Sequence, residues 1–391
     1  MGNPARISED VLINTLDSKV AAHPSYKELK SYRKTAEEYF KMAGKYKRTF
    51  GREEREQRQL FYYEAKKILG EARVLEDFIL NEQFEKAQVI ACTPVVSSNR
   101  MMRNRQFTTV FIDEAAQSLE PMAWIPITRS NRVVFAGDHF QLPPTVKSKK
   151  AEEEGLKETL FEQCMHIPNV SVMLNTQYRM NEQIMNFSNT KFYKGNLIAD
   201  VSVKDNVLSK DANDYLINTP VDFIDTAGCG YNEILNPESL SNSNPEEAQL
   251  LIKHLKLVLE QFENSNKSGK RITIGVISPY KEQVQYLTNL IAEDEHLINY
   301  KSQIAVKTID GFQGQERDII YISLVRSNDN KEIGFLSDIR RMNVALTRAK
   351  TKLVVIGDSA TLANHTFYKD FLDYIESINS YKTAWEFMDF G

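Results

Sequence analysis

Short runs rich in β-branched residues, each followed by a helical or loop segment, recur along this chain and restart once. The first series occupies 89–92, 109–112, 132–136 and 170–174. The second occupies 221–224, 272–278, 304–308, 319–324 and 352–356. Such alternation predicts an α/β fold of two lobes with mostly parallel sheets. Ahead of both lies a polar stretch, 8–84, rich in Glu, Lys, Arg, Tyr and Ala. Its apolar residues Phe61, Ala65, Ile68, Leu75 and Phe78 fall at helical spacing, which predicts two or three long helices making an arm. Three regions follow: a helical arm over 1–85, a first lobe over 86–176 and a second lobe over 177–391.

With 391 residues, 42% of them hydrophobic and 26% charged, the chain is long enough for two to three domains with real cores. No apolar stretch approaches the roughly 20 residues of a membrane span, and the N-terminus has no signal-peptide core. A cytoplasmic or, in a eukaryote, nuclear protein with no membrane partner is expected. Cys92, Cys164 and Cys229 are too few and too scattered for a zinc cluster or a disulfide framework. The net charge of −4 hides a local excess: residues 27–73 carry fourteen Lys and Arg against eight Glu, a difference of six. That basic arm reads either as a clamp on nucleic acid, through residues such as Lys45, Lys47 and Arg48, or as the solvated face of a helical hairpin. The interleaving of its acids with its bases favours the solvated face.

The chemistry is concentrated in five segments. Val110-Phe111-Ile112-Asp113-Glu114 delivers two adjacent carboxylates to the end of a strand, where open α/β sheets bind ligands. One can hold Mg²⁺ and the other polarise an attacking water, although strand ends also carry acids simply to cap helices. Gly137-Asp138-His139-Phe140-Gln141-Leu142-Pro143-Pro144 turns the next strand out of the sheet and offers the Gln141 amide to a phosphate oxygen or a water. Leu174-Asn175-Thr176-Gln177-Tyr178-Arg179-Met180 pairs an aromatic face with a guanidinium, suited to a base and an anion. In Asp310-Gly311-Phe312-Gln313-Gly314-Gln315-Glu316 the glycines allow close backbone approach, and Asn343-Val344-Ala345-Leu346-Thr347-Arg348-Ala349-Lys350 supplies a second candidate arginine finger.

These five segments, in this order, resemble the superfamily-one helicases, in the branch typified by the nonsense-mediated-decay helicase and its immunoglobulin-μ-binding and senataxin-like relatives. The likeness runs from about Gly2 to Asp358. It implies two RecA-like lobes and an ATP-dependent motor on single-stranded DNA or RNA, moving 5′ to 3′. By the same likeness Asp113 coordinates Mg²⁺, Glu114 is the general base, Gln141 senses the γ-phosphate and Tyr178 stacks the adenine. Arg179 and Arg348 offset transition-state charge, while Gly314 and Glu316 meet the γ-phosphate region and the ribose. Thr93 and Ser97 in the first lobe, with Pro279, Tyr280 and Thr308 in the second, are the implied nucleic-acid contacts. Tyr280 is equally well read as a packing residue at a helix start. The arm resembles the insertion that such proteins carry in their first lobe, with 2–6 leading into it.

One departure stands out: nowhere in the 391 residues is there a G-x-x-x-x-G-K-[ST] loop to cradle phosphates. The first lobe is therefore expected to be incomplete, the chain to be a truncated form, and its ATPase activity to be slight or nil. Unpaired sheet edges in that lobe would favour self-association. Two other readings are a nucleotide-independent nucleic-acid-binding module and a protein-interaction module that uses the arm. Retention of Glu114, Gln141, Arg179 and Arg348 together argues against a decayed site.

Overall fold

The structure, a computed structural model, describes residues 8–45, 51–209, 215–265, 269 and 271–388. Residues 2–6, Lys47 and Arg48 lie outside them. The chain divides into two compact units, 1–113 with 119–136 and 114–118 with 137–391. Residues 137–176, expected in the first lobe, thus group with the second unit.

In the first unit the arm is built on helices α1, Tyr26–Gly44, and α2, Arg52–Lys86. Apart from Phe84 near the end of α2, their buried residues repeat every seven positions: Leu29, Ala36 and Ala43 on α1, and Ala65, Ala72 and Ile79 on α2. A seven-residue period keeps one seam facing the partner helix, and alanine in that seam lets the two backbones come close. The expected stripe is therefore offset, since Phe78 is 57% exposed and Leu75 only borders the core. The charged faces pair locally, through Lys41 and Glu37 at 2.7 Å, Arg52 and Glu56 at 2.9 Å, and Arg33 of α1 with Glu76 of α2 at 2.7 Å. Pairs of this kind stabilise exposed helices modestly. The same unit holds the parallel strands β1, Val110–Ile112, and β2, Val133–Phe135, in register from Val110↔Val133 to Ile112↔Phe135.

Two expected strands do not form. Residues 89–92 and 170–174 are irregular, with Val89 85% and Val172 and Leu174 each 89% exposed. Their β-branched composition is real, but a strand exists only where a neighbour completes its hydrogen bonds, and none of the described strands pairs with them.

In the second unit six parallel strands make one sheet: β3, Val221–Asp225; β4, Ile274–Ser278; β5, Ile304–Thr308; β6, Arg317–Ser323; β7, Ala349–Gly357; and β8, Tyr381–Thr383. Their order is β8-β3-β7-β6-β4-β5. Runs such as Ile319-Ile320-Tyr321-Ile322 feed two cores at once. Ile320 and Ile322 enter one core, whereas Ile319 and Tyr321 enter the other. This is the near-continuous hydrophobicity of a sheet covered on both faces. No helix among the described residues is long and apolar enough to cross a membrane.

At the carboxyl end of β6 the chain makes a strained turn. Val325 adopts φ 70, a rare value for a β-branched residue, and Arg326 N–H bonds back to the Leu324 carbonyl at 2.8 Å. The buried Glu247 carboxylate, in the first turn of α4 (Pro245–Ser265; α3, Glu182–Phe192, precedes it), holds this turn. It accepts from Val325 N–H at 3.0 Å and from the Ser323 hydroxyl at 2.5 Å. Burial pushes the Glu247 carboxyl up to about 7, against the hydrogen bonds that favour its charge. The folded protein thus binds this proton more tightly than the unfolded chain does. The corresponding stability is full below about pH 4.5 and is lost as pH rises through about 7. By linkage the effect is about 3 kcal/mol. His254, pushed down to about 3 chiefly by burial, works in the opposite sense as pH falls below 6.5. The signal therefore lies in a difference: urea unfolding of the native protein minus Glu247→Gln, which should fall by about 3 kcal/mol from pH 4.5 to 8. A flat difference would show that this carboxyl does not titrate there.

Candidate active site

The second unit brings together most of the residues singled out from sequence. Glu114 follows the end of β1 in a left-handed conformation, φ 51, and is exposed, as is its neighbour Asp113. Its carboxylate accepts from the Gln117 amide at 2.6 Å. Gly137, after β2, comes so near that a β-carbon would lie 3.0 Å from the Ala115 nitrogen and 3.1 Å from that of Ala116. Only glycine allows this approach of the two loops.

Gln141 is fixed from both ends. Its amide nitrogen donates to Asp138 Oδ2 at 2.9 Å, and its Oε1 accepts from Arg348 Nη2 at 3.2 Å. Arg348 lies between α6, Ile339–Leu346 (α5, Lys281–Glu293, precedes it), and the start of β7 at Ala349. It is 3% exposed and also donates through Nε to the Val344 carbonyl at 2.9 Å. Burial, then repulsion from Arg179, pushes its guanidinium down to about 10, an effect that Glu114 partly offsets. It remains charged at neutral pH.

Arg179 reaches Glu316 Oε2 through Nε at 2.6 Å and the Thr347 carbonyl through Nη1 at 3.3 Å. The other Glu316 oxygen meets Lys350 Nζ at 2.7 Å. Lys350 above all, then Arg179, hold this carboxyl below its ordinary range. Tyr178 is 69% exposed, with its ring open to a ligand, and Gly314 takes φ 68 where the chain turns into β6.

Three further residues belong to this network and were not singled out from sequence. Asp138 accepts from the Tyr193 hydroxyl at 2.5 Å as well as from Gln141. Asn343 donates to the Phe140 carbonyl at 2.9 Å and to the Tyr193 hydroxyl at 3.1 Å. Burial, with Asp138 beside it, pushes the Tyr193 phenol well up, so it stays a neutral donor. Asp138 and Asn343 lie inside motifs already noted, but Tyr193, just after α3, lies in none.

The expected nucleic-acid contacts fare unevenly. Thr93 is exposed in the first unit, and Pro279 and Thr308 are partly exposed in the second. Ser97 is 3% exposed and its hydroxyl bonds to the Pro94 carbonyl at 2.5 Å, since a short turn needs that acceptor satisfied. Tyr280 is 3% exposed, under Phe335 and beside Arg326. Both side chains are thus buried in this structure, Tyr280 in the packed position that a helix start would give it.

Two family models, each described as AAA domain, match residues 1–149 and 156–360. DNA-binding protein SMUBP-2 of Mesocricetus auratus is 33% identical over 399 residues, covering 100% of this chain and 38% of that protein. An ATP-dependent helicase of Methanocaldococcus jannaschii is 34% identical over 416 residues, covering 97% of this chain and 59% of that one. A Regulator of nonsense transcripts 1 homolog of Drosophila melanogaster is 36% identical over 315 residues, covering 78% and 26%. The chain thus spans only part of the length of each of these relatives. It belongs, on these matches and in agreement with its motifs, to the superfamily-one helicases.

Proposed function

We propose that the chain carries the hydrolytic wall of an ATP-driven motor on single-stranded nucleic acid. One observation carries this reading: a buried arginine, Arg348, is held against Gln141 while Arg179 stands near enough to repel it. Arg179 already pairs with Glu316, whereas Arg348 is hydrogen-bonded to the neutral acceptors Val344, Thr347 and Gln141, and a buried guanidinium so held suits an anion such as a transferring phosphoryl group. Glu114 would take the proton of the attacking water and Gln141 would orient that water. Tyr178 offers the adenine a face, Gly314 gives the γ-phosphate close backbone, and Glu316 is the ribose acceptor. A 5′ to 3′ direction rests on the family likeness alone.

The carboxylates fit a sparse Mg²⁺ site. Among the described residues no group of three or more His, Cys, Asp or Glu could hold a metal, but Mg²⁺ on a nucleotide takes only one or two carboxylates beside phosphate and water. Exposed Asp113 would be that ligand, and the ion would supply charge neutralisation on the phosphates.

Because these 391 residues contain no phosphate-cradling loop, the chain by itself should hydrolyse ATP far below the roughly 1–10³ s⁻¹ of ordinary enzymes. The check is a steady-state assay with single-stranded DNA or RNA present. A rate in that range which disappears in Glu114→Gln would overturn the proposed deficiency.

A further inference from the structure

The carboxyl ends of β4 and β5 lie side by side, with Ser278 and Thr308 as register partners. Pro279 and Tyr280 continue from β4, so this end of the sheet holds all three nucleic-acid candidates of the second unit. Tyr280 cannot offer its ring, but it supports one that can. Phe335 is 60% exposed, with its ring centroid 5.8 Å from that of Tyr280 at an angle of 51°.

A singly exposed phenylalanine is ordinary on a protein surface. What sets Phe335 apart is its mounting. On one side Gly334, at φ 53, packs so tightly that a β-carbon there would run into Arg326 Nη1 and come within 3.1 Å of the Tyr280 hydroxyl. Arg326 is itself 8% exposed and fixed by Glu233 at 2.8 Å. On the other side Leu336 is 1% exposed, and its carbonyl accepts from the Tyr368 hydroxyl at 2.8 Å. The ring is thus carried on backbone packed against Arg326 and Tyr280 at Gly334 and anchored at the buried Leu336. Its chain neighbours Lys331, Glu332 and Ser337 are exposed and polar. A lone aromatic face among polar groups is too small for a protein-docking patch but is the size of a base.

We propose that Phe335 is the base-stacking face of the second unit, with Tyr280 and Arg326 as its mount and a base of single-stranded DNA or RNA as its ligand. The proposal rests on the reading of the chain as a nucleic-acid motor. Stacking is sequence-tolerant, as a motor that reads no sequence requires, because every base has a π-face.

The test is equilibrium binding of this chain, at one fixed salt concentration, to a fluorescent oligothymidylate, its ribose counterpart and an abasic oligonucleotide of equal length. Phe335→Ala should weaken binding of the base-bearing strands by about tenfold or more and leave the abasic strand unchanged. Phe335→Tyr should bind as the native chain does, and Phe335→Leu, which keeps apolar bulk without the π-face, should behave like Phe335→Ala. Equal loss on abasic and base-bearing strands would make Phe335 a shaping residue and overturn the proposal. So would unchanged binding, and either result leaves the motor reading standing. Failure of the native chain to bind any strand would overturn both.

Discussion

Arg348→Ala is expected to lower ATP turnover by about 10³-fold or more in a form of the protein that supplies a phosphate-cradling loop, the range an arginine finger commands. The arginine is buried and tied to three acceptors, Val344, Thr347 and Gln141, so its fork is already aimed before any ligand binds. Arg348→Lys should rescue little, because an ammonium cannot hold the Val344 carbonyl and Gln141 at once. A melting curve separates lost chemistry from lost folding. Single-turnover kinetics with unchanged ATP affinity would mark an effect confined to the transition state, whereas turnover within tenfold of the native rate would remove Arg348 from the mechanism.

The second large effect concerns stability. Lys352 on β7 and Asp222 on β3 form an ion pair at 2.6 Å whose side chains are 0% and 3% exposed, with Lys352 also donating to the Thr219 carbonyl at 2.9 Å. Burial raises the Asp222 carboxyl and Lys352 counters part of that rise. Lys352→Met leaves a buried carboxylate without its cation, held only by the Thr219 hydroxyl at 3.0 Å, and such losses cost about 3–5 kcal/mol. For a unit of this size that lowers the melting temperature by roughly 10 °C. Removing both charges, as Lys352→Met with Asp222→Leu, should recover most of the loss. A double variant no more stable than the single one would show that the pair does not act as a unit.

Much of the second lobe was legible in the sequence because its strands are uninterrupted β-branched runs that find neighbours. Ile319 to Leu324 reads as a buried strand and is one, ending a residue early at Ser323. The run 170–174 has the same composition and fails, since pairing is a property of two segments and the sequence shows one at a time. Gln141, Arg179 and Arg348 were legible through their motifs. The Arg179–Glu316–Lys350 chain was not, because it joins residues 137 and 171 positions from Arg179. Tyr193 left no signal at all, as a tyrosine after a helix is ordinary. The burial of Ser97 and Tyr280 was not legible, because residue type reports chemistry and not exposure. The alanine seam of the arm escaped for a related reason: alanine contributes little to an apolar stripe and shows its meaning only when a second helix lies on it.

That seam also sets how the arm can behave. Two helices meeting through bulky side chains can shift past one another in small steps, with rotamers yielding as they go. Alanine has no rotamers to yield. With Leu29, Ala36 and Ala43 buried at seven-residue spacing on one helix and Ala65, Ala72 and Ile79 on the other, the next equivalent alignment lies one heptad away, about 10 Å along the axis. The hairpin therefore has one register and no intermediate ones, which makes it a strut that can tilt but not telescope.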